Sequence, residues 1–485
     1  MNTLQYWLVN KTLWGALLAL AYWKIALIFA LALAYFAFML PRDITWVSVG
    51  SDGPDYMLAA KYFRVAHPTG EPLYTLLGAL WVRLIPIGSE WWRYSLMSSV
   101  FSAGTAALLY AATRRLVAPL VYLASGIVVS QSTILELYAP VTFFMVLAWW
   151  LHDMGYRAWG YAAIGLGLAI HHLAGFMFLG LVGKDYLQKQ SLWTAGWAIL
   201  VGLPWYAYIP LANRPPYVSV AGESLADYKS FFLSQGGLLG GLAVLSERFA
   251  LSEDFKERLW DLARIVLALG PALVVLALAL KTAATKKAWL LPAVMLGITV
   301  YWFTDLDPRV YTYLMPAIAL AALMIGLYDP KIAAHRWFSV EGHTRQLRHM
   351  VVASSVILIA VNLFIYDIGG RWLDPHHSAE AFRAELAAIP PNSIVWTYNR
   401  GWEAMTAELY NYDHGTLFNT VLMAHQRQDA VEGLEQAFSQ GRLFRTVIVD
   451  AESYLVRLEP TTPERVLKEA DEQNLANYQR KPVHP

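Results

Sequence analysis

The sequence has no cysteine, and only 15% of its 485 residues are charged. Without cysteine the chain can form no disulfide bond, has no thiol nucleophile and offers no thiolate ligand to a metal. Its 37 basic and 36 acidic residues give a formal net charge of +1. The chain therefore has no overall basic field that would attract nucleic acid, and we expect no nucleic-acid partner.

Hydrophobic residues make up 57% of the chain, which is more than a soluble domain usually carries. The 20 tryptophans and 27 tyrosines have amphipathic rings that favour the boundary between membrane and water. These features, with repeated apolar runs near the length that crosses a bilayer, predict an α-helical polytopic membrane protein in contact with membrane lipids. We assign eleven spans at 17–40, 93–112, 117–133, 140–151, 158–169, 173–182, 192–209, 262–280, 288–303, 311–328 and 350–366.

Basic residues decide the expected orientation, because short loops rich in lysine and arginine stay in the cytoplasm. The basic loops all fall on one side if the apolar stretch Leu73–Ile87 lies in the interface and does not cross. We therefore predict a plasma-membrane protein with a cytoplasmic N-terminus and outer loops at 41–92 and 211–260. No small-residue cleavage site follows the first apolar run, so we expect that run to be retained as a span.

The composition becomes that of a soluble protein near residue 369. We predict a transmembrane catalytic domain at 1–368 and a small extracytoplasmic α/β domain at 369–485, with a frayed tail after Tyr454. No glycine-rich phosphate loop follows a predicted strand, so we do not assign nucleotide binding. The predicted elements are the strands Ser393–Tyr398, Thr416–Leu422 and Arg445–Asp450 and the helices Ala379–Ile389, Gly401–Tyr412 and Gln428–Gln440.

Ionisable residues outside the basic loops gather on the predicted outer face. Asp52 and Asp55 follow the first span, Glu136 lies in the apolar stretch STILELYAPVTFF, and His171 and His172 join two short helices. Such groups are costly at membrane depth and usually mark a functional site. Other roles stay open. Asp52 could cap a helix that begins at Asp55, and Glu136 could stabilise the start of the next one.

Several short motifs follow one another along the chain. In the motif at 67–73 two prolines bracket a glycine, so the backbone there forms a rigid turn. The motifs are Asp52-Gly53-Pro54-Asp55, His67-Pro68-Thr69-Gly70-Glu71-Pro72-Leu73, Glu136-Leu137-Tyr138-Ala139, Leu168–Leu173, Tyr208-Ile209-Pro210-Leu211 and Asp307 to Tyr311.

This series resembles the GT-C membrane glycosyltransferases, and among them the protein O-mannosyltransferase-like branch. Members of that branch show Asp-Ser-Gly-Glu and then His-Pro-Pro-Gly-Tyr-Pro-Leu. The present chain departs from these two motifs at three places, with Asp55 for Glu, Thr69 for Pro and Glu71 for Tyr. The resemblance covers about residues 20–330.

The resemblance implies the transfer of a sugar, with inversion, from a polyprenyl-phosphate donor to a protein, lipid or glycan acceptor on the extracytoplasmic face. It implies Asp52 as the general base, with Asp55 as the second candidate. No cofactor is required by the motifs, whereas a divalent metal held by either aspartate stays an open alternative. Glu136 and Tyr138 are expected to orient substrate groups. The expected contacts to the lipid phosphate and its surroundings are His67, His171, His172, Arg214, Asp307 and Arg309.

Two other classes of protein would use the same residues differently. A lipid or sugar transporter or flippase would line a substrate path with these charges and would tolerate Asp52→Asn, because it catalyses no transfer. A scaffold that kept the fold and lost the chemistry is the third class, and Thr69 and Glu71 in the second motif leave room for it.

Overall fold

The computed structural model shows a bundle of helices and a small β-sheet. Its described residues are 22–41, 44, 52–66, 71–212, 259, 262–263, 271–285, 289–304, 311–328, 340–364, 384, 386–387, 393–397, 419–421, 443–449 and 456–460. The predicted helices Gly401–Tyr412 and Gln428–Gln440 lie outside these residues, as does most of Ala379–Ile389.

The described helices follow the chain in this order. They are α1 (Tyr22–Phe38), α2 (Gly53–Tyr62), α3 (Pro72–Leu84), α4 (Glu90–Thr113), α5 (Val117–Ala124), α6 (Gly126–Ser132), α7 (Tyr138–Asp153), α8 (Arg157–Leu168), α9 (Ala174–Leu187), α10 (Gly196–Gly202), α11 (Tyr208–Ala212), α12 (Pro271–Thr285), α13 (Leu290–Thr304), α14 (Met315–Leu327) and α15 (Val340–Leu363). Short 3₁₀ turns occupy Leu192–Ala195, Leu203–Ala207 and Tyr311–Leu314.

Three helical segments of the described residues are long and apolar enough to cross a membrane. They are Glu90–Thr113, Leu192–Ala212 and Gln346–Leu363, and they correspond to the predicted spans 93–112, 192–209 and 350–366. The described residues also include shorter apolar helices, among them Tyr22–Phe38 and Leu290–Trp302. The total of eleven spans and their orientation stay predictions.

The centre of the bundle is α14. Every residue from Met315 to Gly326 is buried, because the helix packs against α4, α5, α7, α12 and α13. A helix that is apolar on all sides is stable only when other elements surround it. The sequence of α14, MPAIALAALMIGL, is rich in small residues. These let the surrounding helices approach closely.

One predicted span, 117–133, is wrong as a single continuous helix. The structure breaks it at Ser125 into α5 and α6, at a Ser-Gly pair of the kind that commonly kinks helices. The break leaves the carbonyl of Ala124 without its usual helical partner. Asn362 of α15 donates a hydrogen bond to that carbonyl at 3.0 Å, so the break is stabilised by a distant helix.

A buried carboxylate joins the C-terminal ends of α7 and α9 to the start of α8. Asp185 is fully buried, and it accepts hydrogen bonds from Arg157 at 2.6 Å and from Tyr161 at 2.9 Å. A ring nitrogen of His152 lies 3.0 Å from the same carboxylate. We call these four residues the Asp185 cluster. Its ion pair and hydrogen bonds offset the cost of burying the charge.

The four strands form one sheet in the order β2-β1-β3-β4. The strands are β1 (Ser393–Thr397), β2 (Asn419–Val421), β3 (Leu443–Val449) and β4 (Val456–Pro460). Strand β1 pairs in parallel with β2 and β3, as strand–helix alternation predicts, and β4 pairs antiparallel with β3. Part of the tail after Tyr454, which we predicted to be partly frayed, forms β4 at one edge of the sheet. A separate extracytoplasmic domain stays a prediction.

Candidate active site

Asp52 lies at the N-cap position of α2, which begins at Gly53 and not at Asp55 as predicted. Its backbone carbonyl accepts the first helical hydrogen bond, from the N–H of Tyr56 at 3.0 Å. Its side chain makes no capping hydrogen bond, so the structural alternative of a carboxylate used as a cap is not realised. Gly53 is needed here because a Cβ at that position would lie 2.5 Å from the Trp91 ring.

Glu71 precedes α3 in a conformation that non-glycine residues rarely adopt. Its φ of 32° and ψ of 56° lie in the left-handed region, which costs about 1 kcal/mol for a residue with a Cβ. The side chain is 2% exposed. Two residues onward, the N–H of Leu73 donates to the carbonyl of Ala169 at 3.1 Å. This bond joins the start of α3 to the turn that carries His171, so the conformation of Glu71 is set by its surroundings.

Glu136 is buried just before α7, and its backbone is held by Ser98 of α4. The Ser98 hydroxyl donates to the Glu136 carbonyl at 3.0 Å and accepts from the Glu136 N–H at 3.4 Å. The N-cap residue of α7 is Leu137 and not Glu136. The backbone of Glu136 is therefore fixed independently of its carboxylate.

Three carboxylates lie close enough to the buried hydroxyl of Tyr56 to act on it electrostatically. Burial raises the pKa of Tyr56 well above its ordinary value, and the negative charges of Glu71, Glu136 and Asp52 raise it further. We call these three carboxylates with Tyr56 the acidic site. The structure thus places the predicted residues Asp52 and Glu136 near the same tyrosine and adds Glu71, which was not among the predicted site residues. Asp55, in the first turn of α2, is half-buried beside them.

Five rings form a second group at the N-terminal ends of α7 and α9. We call it the five-ring cluster. The ring centroids of His171 and His172 are 4.0 Å apart, and that of Tyr138 is 5.8 Å from His171. Tyr313 lies 5.5 Å from Tyr138 and 6.1 Å from His171, in a stacked arrangement with the latter. Tyr301 of α13 completes the group at 5.4 Å from His172 and 5.5 Å from Tyr313.

A hydrogen bond to one histidine of the cluster and the burial of the other favour the neutral imidazole. The N–H of Leu173 donates to Nδ1 of His171 at 3.3 Å, so the proton of the neutral ring lies on Nε2. Nε2 of His172 lies 2.7 Å from the Tyr301 hydroxyl. Burial lowers the pKa of His172 to about 4, so this side chain is uncharged at pH 7. That state argues against the predicted cationic contact from His172 to a phosphate.

The acidic site and the five-ring cluster are contiguous. Asp52 and Glu136 both lie close enough to Tyr138 to act on its hydroxyl electrostatically, and Tyr313 does the same from the other side. Tyr138 of the five-ring cluster is therefore the residue next to the acidic site. The combined region presents carboxylates next to neutral rings, which suits a ligand with hydroxyl groups and apolar C–H faces.

Several predicted site residues lie outside the described part of the chain. These are His67, Arg214, Asp307 and Arg309. Among the residues that the structure describes, no group of three or more His, Asp or Glu side chains could hold a metal ion. Sequence reasoning did not identify Tyr56, Tyr301 or Tyr313. Tyr313 follows the motif that starts at Asp307, which is a usable signal, whereas Tyr301 has none.

The fold matches that of a membrane-lipid-binding protein, ArnT, whose structure has been solved. The crystal structure of ArnT from Cupriavidus metallidurans bound to undecaprenyl phosphate superposes with a TM-score of 0.60. It is 12% identical in sequence, and the match covers 89% of this chain and 94% of ArnT. The apo structure of the same protein gives a TM-score of 0.58 at 12% identity, over 90% and 94% of the two chains. At this identity the likeness shows the fold, and it confirms the predicted GT-C-like bundle.

A sequence relationship covers the part of the chain that holds most of the site. Residues 52–203 match the family described as Protein O-mannosyl-transferase TMEM260 N-terminal domain. The mouse protein O-mannosyl-transferase TMEM260 is 39% identical over 89 residues, which are 18% of this chain and 12% of the mouse protein. The resemblance to the O-mannosyltransferase-like branch is thereby confirmed. The family match begins at Asp52 and includes all three carboxylates of the acidic site.

Proposed function

We propose that this protein is an integral membrane glycosyltransferase of the GT-C type. It moves a sugar from a polyprenyl-phosphate donor to an acceptor hydroxyl on the extracytoplasmic face. The observation that carries the proposal is that the buried carboxylates of Glu71 and Glu136 and the N-cap residue Asp52 lie near the buried Tyr56, within the segment that matches the O-mannosyl-transferase family. The undecaprenyl phosphate bound to ArnT supports a polyprenyl carrier.

Asp52 is the general base in this proposal. The acceptor oxygen attacks the anomeric carbon, the bond from that carbon to the phosphate oxygen breaks, and the acceptor proton passes to the Asp52 carboxylate. The lipid phosphate leaves with the electron pair, and attack from the opposite face inverts the anomeric centre. A carboxylate suits this position because it also stabilises an oxocarbenium-like transition state. Its side chain is not used as a helix cap.

The other residues of the acidic site have supporting roles. Glu136, with its backbone fixed by Ser98, orients the acceptor or a sugar hydroxyl. Asp55 is the alternative base, half a turn or more along α2. The charged contacts to the leaving phosphate come from His67, Arg214 and Arg309. The protein acceptor is favoured among protein, lipid and glycan by the name of the mouse relative.

The proposal includes the arrangement of the whole chain in the membrane. Residues 1–368 form the catalytic bundle with eleven spans and a cytoplasmic N-terminus in the plasma membrane. Residues 369–485, whose sheet is built from β1 to β4, form an extracytoplasmic domain that serves as a lid or as a docking surface for the acceptor.

The test is a turnover assay on the full-length protein in detergent or lipid. Purified protein is incubated with a panel of polyprenyl-phosphate sugars and acceptor peptides, and the release of polyprenyl phosphate is followed. The wild type is compared with Asp52→Asn, Asp55→Asn and the control Asp153→Asn, whose exposed carboxylate pairs with Lys184 at 3.2 Å. We expect Asp52→Asn to lose about 100-fold or more, as for loss of a general base, and the control to keep full activity.

Each alternative predicts a different result in this assay. If Asp55→Asn loses turnover and Asp52→Asn keeps it, the base is Asp55. Movement of a labelled donor across a vesicle membrane, with no release of lipid phosphate and with Asp52→Asn fully active, would identify a transporter or flippase instead.

A further inference from the structure

We propose that the five-ring cluster is the subsite for the sugar ring of the donor and not for its phosphate. The inference rests on the proposed function and names which part of the substrate these residues take. The sequence had suggested the opposite, since paired histidines at a helix junction are candidate phosphate contacts. The geometry and charge of the described residues reverse that assignment.

The rings form a continuous aromatic surface. Neighbouring centroids in the cluster lie 4.0 to 6.1 Å apart, within the range for packed aromatic groups. Tyr138 and His171 are buried, whereas His172, Tyr301 and Tyr313 are partly exposed. A pyranose ring offers an apolar face of C–H groups, which packs against such a surface as an apolar side chain does.

The charges next to the rings favour a neutral ligand with hydroxyl groups. Asp52 and Glu136 both act on Tyr138, from which the ring surface extends. A phosphate placed there would be repelled by two carboxylates, and like charges interact strongly where water is scarce. Sugar hydroxyls instead donate hydrogen bonds to carboxylates, which only accept them.

The histidines do not reverse this balance, because they are held neutral. His172 bonds through Nε2 to the Tyr301 hydroxyl, and its burial keeps the ring unprotonated at pH 7. His171 accepts from Leu173 at Nδ1, which leaves its single N–H on Nε2 as a neutral donor. Neutral donors hold hydroxyl and ring oxygens, whereas a phosphate is usually held by charged donors.

The residues of the five-ring cluster come from two separate parts of the chain. Tyr138, His171 and His172 belong to the segment 52–203 that matches the O-mannosyl-transferase family. Tyr301 and Tyr313 come from α13 and the 3₁₀ turn before α14, beyond the match. The sugar subsite is thus built from both the matched segment, which also supplies the base, and a later part of the chain.

The test compares two kinds of lipid in binding, without an acceptor. Binding of undecaprenyl phosphate and of its mannose, glucose and galactose derivatives is measured on the full-length protein. The variants are Tyr313→Leu and Tyr301→Leu, from two different elements, with Tyr313→Phe as the control that keeps the ring. We expect each Leu variant to bind the preferred sugar-bearing lipid about five- to tenfold more weakly, as for loss of one ring contact. Binding of bare undecaprenyl phosphate should stay within about twofold.

Equal losses for both kinds of lipid would overturn the proposal and place the phosphate or the lipid chain at the rings. It would also fail if the wild type bound no sugar-bearing lipid better than the bare one, or if Tyr313→Phe lost as much as Tyr313→Leu. Melting temperatures identify a variant that has simply unfolded. In that case the binding data of the other Leu variant test the proposal. The proposed function fails separately, through the absence of turnover with every donor, because this assay needs no turnover.

Discussion

Two buried clusters of acid, histidine and tyrosine lie at opposite ends of α7. Tyr138 at its start belongs to the five-ring cluster and touches the acidic site, and His152 near its end belongs to the Asp185 cluster. The two residues are about 20 Å apart at 1.5 Å per residue. The clusters at the two ends of α7 contain similar residue types. Their hydrogen bonds differ, and this difference indicates different roles.

The difference is in how the negative charge is balanced. The single carboxylate of Asp185 forms an ion pair with an arginine and hydrogen bonds with a tyrosine and a histidine, all from α7 and α8. In the acidic site three carboxylates act on one tyrosine and raise its pKa together. A buried charge with several donors stabilises a fold, whereas a gathering of like charges is kept for chemistry or binding. Residue type alone does not separate the two cases.

The largest expected effect is on stability, at the Asp185 cluster. Asp185→Asn leaves the Arg157 guanidinium without its anion, which should cost about 3 kcal/mol of unfolding free energy. The measurement is the midpoint of thermal or denaturant unfolding in detergent. Asp153→Asn is the matched control, since its exposed pair with Lys184 should contribute about 0.5 kcal/mol or less. Equal losses in both variants would show that burial of Asp185 does not matter.

The next effect is on activity, at Glu136. Glu136→Gln keeps the shape of the side chain and the backbone bonds to Ser98, so the fold should persist. We expect turnover to fall by about 100-fold, as for misplacement of a reacting group, with the melting temperature changed by no more than a few degrees. A large fall in melting temperature with normal turnover per folded molecule would make Glu136 a structural residue.

The pH dependence of stability follows from His172. Its folded pKa of about 4 lies below the ordinary 6.5, so the unfolded chain takes up a proton first as the pH falls. The contribution to stability is complete above pH 6.5 and is lost between about pH 6.5 and 4, by roughly 1 kcal/mol per unit. The melting temperature should therefore fall from pH 7 to pH 5. His172→Phe should flatten that fall, and an unchanged slope in the variant would contradict the assignment.

The smallest effect is expected at Ser98, which acts through Glu136. Ser98→Ala removes both hydrogen bonds to the Glu136 backbone and should lower kcat about tenfold with little change in KM. Its neighbour Ser99, which donates to the carbonyl of Ser132 at 2.7 Å, provides the control Ser99→Ala. Equal effects from the two substitutions would mean that Ser98 only packs α4 against the following segment.

The sequence allowed the acidic site to be predicted better than its surroundings. Asp52 and Glu136 were visible because carboxylates in apolar sequence are costly and need a reason. Glu71 was hidden, because its left-handed backbone and its burial depend on the bond from Leu73 to Ala169, which joins distant parts of the chain. Tyr301 gave no signal, since a tyrosine in an apolar helix is common at membrane boundaries.

Features of the fold were predictable where the local sequence alone determines them. The strands β1, β2 and β3 follow from short runs of β-branched and aromatic residues, whereas β4 exists only because it pairs with β3. The break at Ser125 falls at a local Ser-Gly pair, but its stabilisation by Asn362, in a helix far along the chain, could not be predicted. The burial of Asp185 was not predicted, because the neighbouring lysines indicated a cytoplasmic loop in this segment.

The most direct test of the account measures Asp52→Asn and Asp185→Asn side by side, each for melting temperature and for turnover per folded molecule. We expect Asp52→Asn to lose about 100-fold or more of its turnover and to keep its melting temperature. We expect Asp185→Asn to melt several degrees lower and to keep its turnover within a few-fold. If Asp52→Asn keeps its turnover, or if its melting temperature falls as far as that of Asp185→Asn, the division between a chemical and a structural cluster is wrong.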